Sequence, residues 1–120
     1  MKTDNVVQVK SYAFAIKIVA TYRYLTEIKK EFVLSKQLLR SGTSIGANVE
    51  EAIGGQSEKD FFAKITIAYK EARESKYWIR LLKDTGYLEK EKPEELISDI
   101  EELLRIIGSI QISMKVKLKI

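Results

Sequence analysis

The sequence contains no cysteine and no histidine, and these two absences exclude several classes of function. Without cysteine no disulfide can form, and without either residue no thiolate or imidazole site can hold zinc. A Ser-His-Asp or Cys-His nucleophile cannot be built, nor can the metal-binding bundle motif in which Glu and His lie three residues apart. We therefore expect no enzymatic activity, no catalytic residue, no metal and no cofactor.

Proline, glycine and long apolar runs are also scarce. One Pro and six Gly in 120 residues leave few positions for turns, which favours a few long elements. No apolar run approaches the length of a membrane span, and the N-terminal residues lack the apolar core of a signal peptide. We expect a single domain over residues 1–120, a cytoplasmic location and no membrane partner.

The stretch from Leu38 to Gly55 is apolar on one face and rich in small residues. Gly42 and Gly46 each cost about 1 kcal/mol relative to Ala inside a helix, so we attribute them to close approach of a neighbouring backbone. A later stretch has a similarly small centre. If these two surfaces face each other, two helices can cross tightly. The seam of the first stretch is formed by Leu38, Gly42, Ile45, Val49 and Ala52, and the later centre by Ala68, Ala72 and Ser75.

Apolar residues at steps of three and four predict four helices. The predicted ranges are Val7–Lys30, Lys36–Ile53, a third helix from the cap Ser57 to about Thr85, and a fourth whose first turn holds Pro93. Short connections make an all-α, antiparallel up-down-up-down four-helix bundle the simplest arrangement. The last residues, MKVKLKI, alternate apolar residues with Lys, so a strand, a fraying helix and an ordered tail all remain open.

Helix ends and stripes carry further expectations. Ser35 is predicted to cap the second helix, and Gly54 and Gly55 to end it in the left-handed conformation. Phe14, Ile18, Leu25 and Ile28 are predicted to form the buried stripe of the first helix. Its extra apolar width, together with Tyr22 and Tyr24, makes this helix the expected interface between subunits.

The net charge of +4 is unevenly distributed along the chain. Residues 1–40 hold eight basic and three acidic side chains, whereas residues 41–60 hold one and four. A positive surface can attract polyanions, although a solvated face with extra lysines is the simpler interpretation. The candidate nucleic-acid contacts are Lys10, Lys17, Arg23, Lys29 and Lys30.

Charged and amide side chains flank the small-residue seams. The structural interpretation is a buried or interface polar network in which Arg40 forms a bidentate pair with a carboxylate. The functional alternative is a ligand site or a catalytic carboxylate pair, for which no second catalytic group is available. We expect Arg40→Ala to unfold or disassemble the protein. The predicted network consists of Arg40, Asn48, Glu51, Glu71 and Glu74.

Basic and aromatic residues alternate in the third predicted helix. This pattern occurs in platforms that stack nucleic-acid bases, although aromatic residues at helical spacing more often belong to a core or an interface. The residues concerned are Lys76, Tyr77, Trp78, Arg80 and Lys83.

Two runs, QLLRSGTSIGANVEEA and SEKDFFAKITIAYKEARESKYWIRLLKDTGYL, resemble the four-helix bundle family encoded by intervening sequences within bacterial 23S ribosomal RNA genes. The match extends from about Phe14 to Leu88. Two regions depart from the family pattern: KKEFVLSK lacks the usual Pro, and Val49–Ala52 replaces an acidic residue followed by Gly. The most specific positions are Gln37, Arg40, Ser44, Ile45, Asn48, Glu51, Phe61, Ala68, Glu71, Glu74 and Trp78.

This resemblance implies an antiparallel four-helix bundle that assembles into a ring of five. The family is similar in shape to the accessory variability determinant of diversity-generating retroelements, a basic pentamer that contacts nucleic acid and a reverse transcriptase. Our first hypothesis is a non-enzymatic, homo-oligomeric helical protein that binds RNA or DNA through a basic surface. The alternative is a structural or protein–protein interaction module that binds no nucleic acid. Neither hypothesis includes a small-molecule substrate.

Overall fold

Four long helices make up the protein in the computed structural model, which describes residues 5–120. Within that range there is no strand, so the all-α prediction is confirmed. Of the C-terminal stretch MKVKLKI, for which three structures remained open, the residues up to Leu118 continue the last helix. The predicted domain of residues 1–120 stays a prediction, and residues 1–4 lie outside the described part. The helices are α1 (Val6–Glu27), α2 (Leu34–Ile53), α3 (Glu58–Asp84) and α4 (Glu91–Leu118).

The four helices run up, down, up and down, and each packs against the next one along the chain. Contact between α1 and α4 closes the bundle, which measures 46 × 23 × 21 Å. Lys29 Nζ lies 2.8 Å from Glu89 Oε2, so the α1–α2 and α3–α4 connections lie at the same end. The predicted antiparallel up-down-up-down bundle is confirmed.

Apolar side chains from all four helices fill the centre of the bundle. All five predicted seam positions of α2 are buried, and so is the predicted small centre of α3, Ala68, Ala72 and Ser75. In α1 the prediction for Ile28 was wrong, because this residue follows the helix and is exposed. The largest fully buried side chains are Phe14, Ile18, Leu25, Leu38, Ile45, Ile65, Ile79, Leu82, Leu88, Leu96, Ile100 and Leu103.

Two glycines of α2 allow α1 to pack closely against it. A Cβ atom on Gly42 would lie 2.8 Å from Ile18 Cγ1, and a Cβ atom on Gly46 would lie 3.3 Å from the carbonyl oxygen of Ser11. The predicted close approach of a neighbouring backbone is therefore confirmed at Gly46, with α1 as the neighbour, whereas at Gly42 the neighbour is a side chain of α1. On the other side of α2, Ser41 and Ser75 bring α2 and α3 together, and their hydroxyl oxygens lie 3.0 Å apart.

The start of α2 is capped by Glu31, not by Ser35 as predicted. The Glu31 carboxylate accepts hydrogen bonds from the backbone N–H groups of Val33, Leu34 and Ser35 at 3.1, 2.9 and 2.6 Å. Burial alone raises the pKa of this carboxyl, but the backbone donors outweigh it and the net pKa is lowered. Ser35 is a buried residue of the first turn, and its hydroxyl donates to the Glu31 carbonyl.

Left-handed backbone occurs at Lys30 rather than at the predicted glycines. The helix α2 ends at Ile53 with Gly54 as its C-cap, as predicted, but Gly54 has a φ of −85° and Gly55 is not among the residues with positive φ, so the left-handed conformation was wrong for both. Lys30 has a φ of 57°, and this turn directs the N–H of Glu31 to the carbonyl of Leu25 at 2.9 Å. The first helix therefore ends at Glu27 instead of Lys30.

Two predicted helix starts agree with the structure. The Ser57 hydroxyl accepts a hydrogen bond from the Asp60 N–H at 3.1 Å, which confirms the N-cap of α3. Pro93 lies in the first turn of α4. Within residues 5–120, no helix combines the length and the apolar character that a membrane crossing requires.

Candidate nucleic-acid interface

Arg40, Glu71 and Glu74 form one ion-pair cluster between α2 and α3. Arg40 Nη1 lies 3.3 Å from Glu71 Oε1, and the other terminal nitrogen contacts the Glu74 carboxylate. The indole N–H of Trp78 also donates to Glu74, at 2.9 Å. Hydrogen bonds from Arg40 and then Trp78 hold the pKa of Glu74 below its usual value. The Arg40 side chain is 50% exposed, so this cluster lies at the surface.

The remaining two members of the predicted network lie elsewhere. Asn48 donates through its side-chain nitrogen to the carbonyl of Ser44 at 2.8 Å, which is a contact within α2. Glu51 pairs with Lys64 of α3 at 2.9 Å. The structure therefore brings three of the five predicted residues together and adds Trp78 to them.

Three of the five predicted nucleic-acid contacts are engaged by carboxylates. Lys10 lies 3.2 Å from Glu102, and Lys17 lies 2.7 Å from Asp99 and 2.8 Å from Glu95. Hydrogen bonds to Asp99 and then Glu95 raise the pKa of the Lys17 ammonium. Lys29 is likewise paired with Glu89, as described above.

Arg23 and Lys30 complete that predicted group, and neither forms an ion pair with a described residue. The five positions thus do not present one free cationic surface. An incoming phosphate would have to displace acidic side chains of α4 from Lys10 and Lys17, and Glu89 of the α3–α4 connection from Lys29.

A second basic surface lies in a groove between α3 and α4. Arg73, Tyr77 and Arg80 of α3 line its upper part, which is the part nearer the α3–α4 connection, together with Lys76. This part has a volume of about 330 Å³. The two arginines form no ion pair with any residue of the described range. Lys76 lies 3.1 Å from Glu101 of α4, so its charge is already paired. We call this surface the α3/α4 groove.

The groove continues toward the other end of the bundle. Tyr69 and Leu104 line both its upper and lower parts, so the two parts are adjacent. The lower part adds Arg105 and Lys115, which also lack an ion-pair partner in the part of the chain that the structure describes. Gly108 lies at its floor, where a Cβ atom would be 3.5 Å from the Tyr69 ring.

Tyr77 and Trp78 contact each other edge to face at the rim of the groove. Their ring centroids lie 5.0 Å apart at an interplanar angle of 75°. Tyr77 is 55% exposed, whereas Trp78 is half-buried and bonded to Glu74. Of the alternating basic and aromatic residues, Lys76, Tyr77 and Arg80 line the groove, whereas Trp78 is bonded to Glu74 and Lys83 is paired with Glu94.

Sequence reasoning missed Arg73 and Arg105. Arg73 lies four residues before Tyr77, so helical spacing could have placed it on the same face. Arg105 comes from another helix and joins the groove only through tertiary packing. In residues 5–120, no group of three or more acidic side chains is placed to hold a metal ion.

Residues 3–109 match the family described as 23S rRNA-intervening sequence protein. The chain belongs to this family. It is also similar to a solved structure from Bacteroides thetaiotaomicron, described as a protein of unknown function from the S23 ribosomal protein family. The two chains share 49% sequence identity with a TM-score of 0.87, over 88% of this chain and 98% of the other. No match is found among curated proteins.

Proposed function

We propose that this protein is a non-enzymatic, homo-oligomeric helical bundle that binds RNA or DNA through phosphate contacts in the α3/α4 groove. The observation that carries the proposal is the presence of Arg73, Arg80 and Arg105 along one groove without carboxylate partners among the described residues. The proposed setting is the cytoplasm. No small-molecule substrate or cofactor is part of the proposal.

Arginine suits this role because its planar guanidinium can form two parallel hydrogen bonds with a phosphate. Arg73 and Arg80 lie seven residues apart on α3, which corresponds to about 10 Å along the helix axis. Two phosphates of one strand can therefore be held side by side. Lys115 extends the positive charge toward the far end of the groove.

The α1 lysines are the weaker candidates for these contacts. A phosphate that binds Lys17 must compete with Asp99 and Glu95, which already hold its ammonium group. Such an exchange releases little free energy, because one charge-assisted contact replaces another. Arg73 and Arg80 need no such exchange with the residues described here.

Self-association is supported by an exposed apolar stripe on α1. Val9, Tyr12 and Ile16 are 61%, 67% and 56% exposed and follow one another at steps of three and four. Exposed apolar patches on helices often form interfaces between subunits. A ring of five, which the resemblance implies, would repeat the α3/α4 groove around its circumference and strengthen binding by multivalency.

Filter binding across a salt series tests the nucleic-acid proposal. We expect wild-type affinity to fall steeply as salt rises, because bound strands release counterions. Arg73→Gln combined with Arg80→Gln should weaken binding and lower the steepness of the salt dependence by about one unit or more. Lys36→Gln combined with Lys59→Gln removes the same charge from exposed positions outside the groove and should have little effect.

The alternative function is a structural or protein-interaction module, which the α1 stripe supports by itself. Absence of binding at low salt would favour this alternative. So would equal losses in the groove variant and the Lys36/Lys59 control, because the groove would then have no special role.

Light scattering tests the assembly. Tyr12→Glu with Ile16→Glu should convert the oligomer to monomers, since two charges in an apolar interface are strongly unfavourable. Ile112→Glu with Val116→Glu introduces the same charges at exposed apolar positions of α4 and should leave the oligomer intact. A wild-type protein that is monomeric throughout would contradict the assembly proposal.

A further inference from the structure

We infer that the α3/α4 groove binds single-stranded nucleic acid in preference to duplex, with one base stacked on the exposed ring of Tyr77. This inference rests on the proposed function and specifies its substrate class. It is carried by the position of one aromatic ring between two arginines, not by net charge alone.

The first observation is the order of residues along α3. Arg73 lies four residues before Tyr77 and Arg80 lies three residues after it, so all three share one helix face and line one groove. Proteins that bind single strands combine these elements, a cationic track for the backbone and an aromatic face for the bases. Tyr77 has more than half of its surface free for such a contact.

The second observation is that Tyr77 is held in place from behind. Trp78 contacts the Tyr77 ring edge to face at 5.0 Å, and Trp78 is fixed by its hydrogen bond to Glu74. Glu74 is in turn paired with Arg40 of α2. A ring that is already oriented loses less conformational entropy when a base stacks on it.

A duplex cannot use this arrangement without distortion. Its bases are stacked on each other and paired, so a base reaches Tyr77 only if the duplex is opened locally, and unstacking is unfavourable. A single strand exposes base faces and can lie along the groove. From Tyr69 to Arg80 the α3 part of this track is about 16 Å long.

Fluorescence anisotropy with a labelled strand of about 16 nucleotides and its duplex, at about 50 mM salt, tests this inference. Wild-type protein should bind the strand about tenfold or more tighter than the duplex. Tyr77→Leu should weaken strand binding by roughly fivefold or more and leave duplex binding unchanged, whereas Tyr77→Phe should keep the wild-type affinity. Phe32→Leu alters an exposed aromatic residue outside the groove and serves as the control.

Two results separate the inference from the proposed function. If strand and duplex bind equally, or if Tyr77→Leu has no effect while Arg73→Gln/Arg80→Gln weakens binding, the stacking inference is wrong and the phosphate-binding function stands. If neither strand nor duplex binds at low salt, both are overturned. Wild-type oligomer size and helical circular dichroism in each variant ensure that a loss of binding reflects the site and not unfolding.

Discussion

The two sides of the bundle use glycine in opposite ways. On the α1/α2 side, Gly42 leaves room for the Ile18 side chain, because a Cβ atom on Gly42 would lie only 2.8 Å from Ile18 Cγ1. On the α3/α4 side, Gly108 meets only the Tyr69 ring, at an ordinary contact distance of 3.5 Å, and lies at the floor of an open groove. One side is closed by its small residues and the other is left open.

This difference separates stability from function. The closed side buries Ile18 and Leu38 completely. The open side retains arginines that form no ion pairs with described residues. These arginines add little to the stability of the fold, and their charge is available for a partner. Larger side chains on the closed side should therefore lower stability, and changes to the arginines of the open side should alter binding.

Gly42→Val should have the largest effect. The added side chain overlaps Ile18, which is fully buried and cannot move aside, so we expect a loss of roughly 1–3 kcal/mol in the free energy of unfolding. Urea denaturation measures this value, and Gly42→Ala should lie between wild type and Gly42→Val. An unchanged midpoint in Gly42→Val would show that α1 and α2 are not closely packed there.

Glu31→Ala should have the second largest effect, at the end of the closed side. It removes the acceptor for three backbone N–H groups, with an expected loss of about 1–2 kcal/mol. The net pKa of Glu31 is lowered in the folded protein, so its contribution is present above the unfolded pKa and is lost as pH falls through the folded pKa.

Urea denaturation at neutral and acidic pH checks this prediction. The difference between wild type and Glu31→Ala should be largest near neutral pH and should shrink in acid. Lys90, before α4, supplies no side-chain cap, so Lys90→Ala is a control at the corresponding end of the open side. A difference that does not vary with pH would mean that ionised Glu31 is not the cap.

Arg40→Ala should have a smaller effect than we expect from the sequence alone. Because the side chain is half exposed, we now expect a loss of about 1 kcal/mol or less, with no unfolding. Thermal denaturation measures the loss, and Lys64→Ala, which breaks the exposed pair with Glu51, is the matched control. Complete unfolding of the Arg40→Ala variant would contradict this prediction and support the expectation from the sequence that Arg40 is essential to the fold.

The same cluster should respond to acid. The lowered pKa of Glu74 means that its contribution is present above the unfolded pKa and is lost as pH falls through the folded pKa. Since Trp78 is the only tryptophan and bonds to Glu74, its fluorescence should report this titration. In Glu74→Gln the acid-dependent change should be absent.

Gly108→Ala should have the smallest effect and the opposite sign. A helix-interior glycine is replaced without a close contact, so the protein should become more stable by roughly 0.5–1 kcal/mol. Gly46→Ala, whose Cβ would meet the Ser11 carbonyl oxygen at 3.3 Å, is the comparison on the closed side. If both variants are stabilised equally, the two sides do not differ as described.

The fold could be predicted from the sequence because its signals are local. Steps of three and four residues define the helix faces, and Ser57 and Pro93 mark the starts of α3 and α4. The start of α2 was misassigned because Glu31 caps it from four residues before Ser35, through a turn at Lys30 that the sequence does not reveal. Nothing about a lysine in the sequence predicts that its backbone adopts the left-handed conformation.

The site could be predicted only in part because it depends on pairs from different helices. Arg40 and Glu74 were expected to belong to one network, and they are in contact. The pairing of Lys17 with Asp99, 82 residues further along the chain, depends on how α1 meets α4. For the same reason a count of basic residues favours α1, whereas three of the four arginines without an ion pair among the described residues, Arg73, Arg80 and Arg105, lie on α3 and α4.

A proton–nitrogen NMR titration with a short single strand tests the central claim most directly, because it compares the two basic surfaces in one experiment. We predict that the side-chain signals of Arg73, Arg80 and Arg105 shift together with the backbone signals around Tyr77, while those around Lys10 and Lys17 stay in place. Shifts centred on α1, with the α3/α4 groove unchanged, would contradict the account.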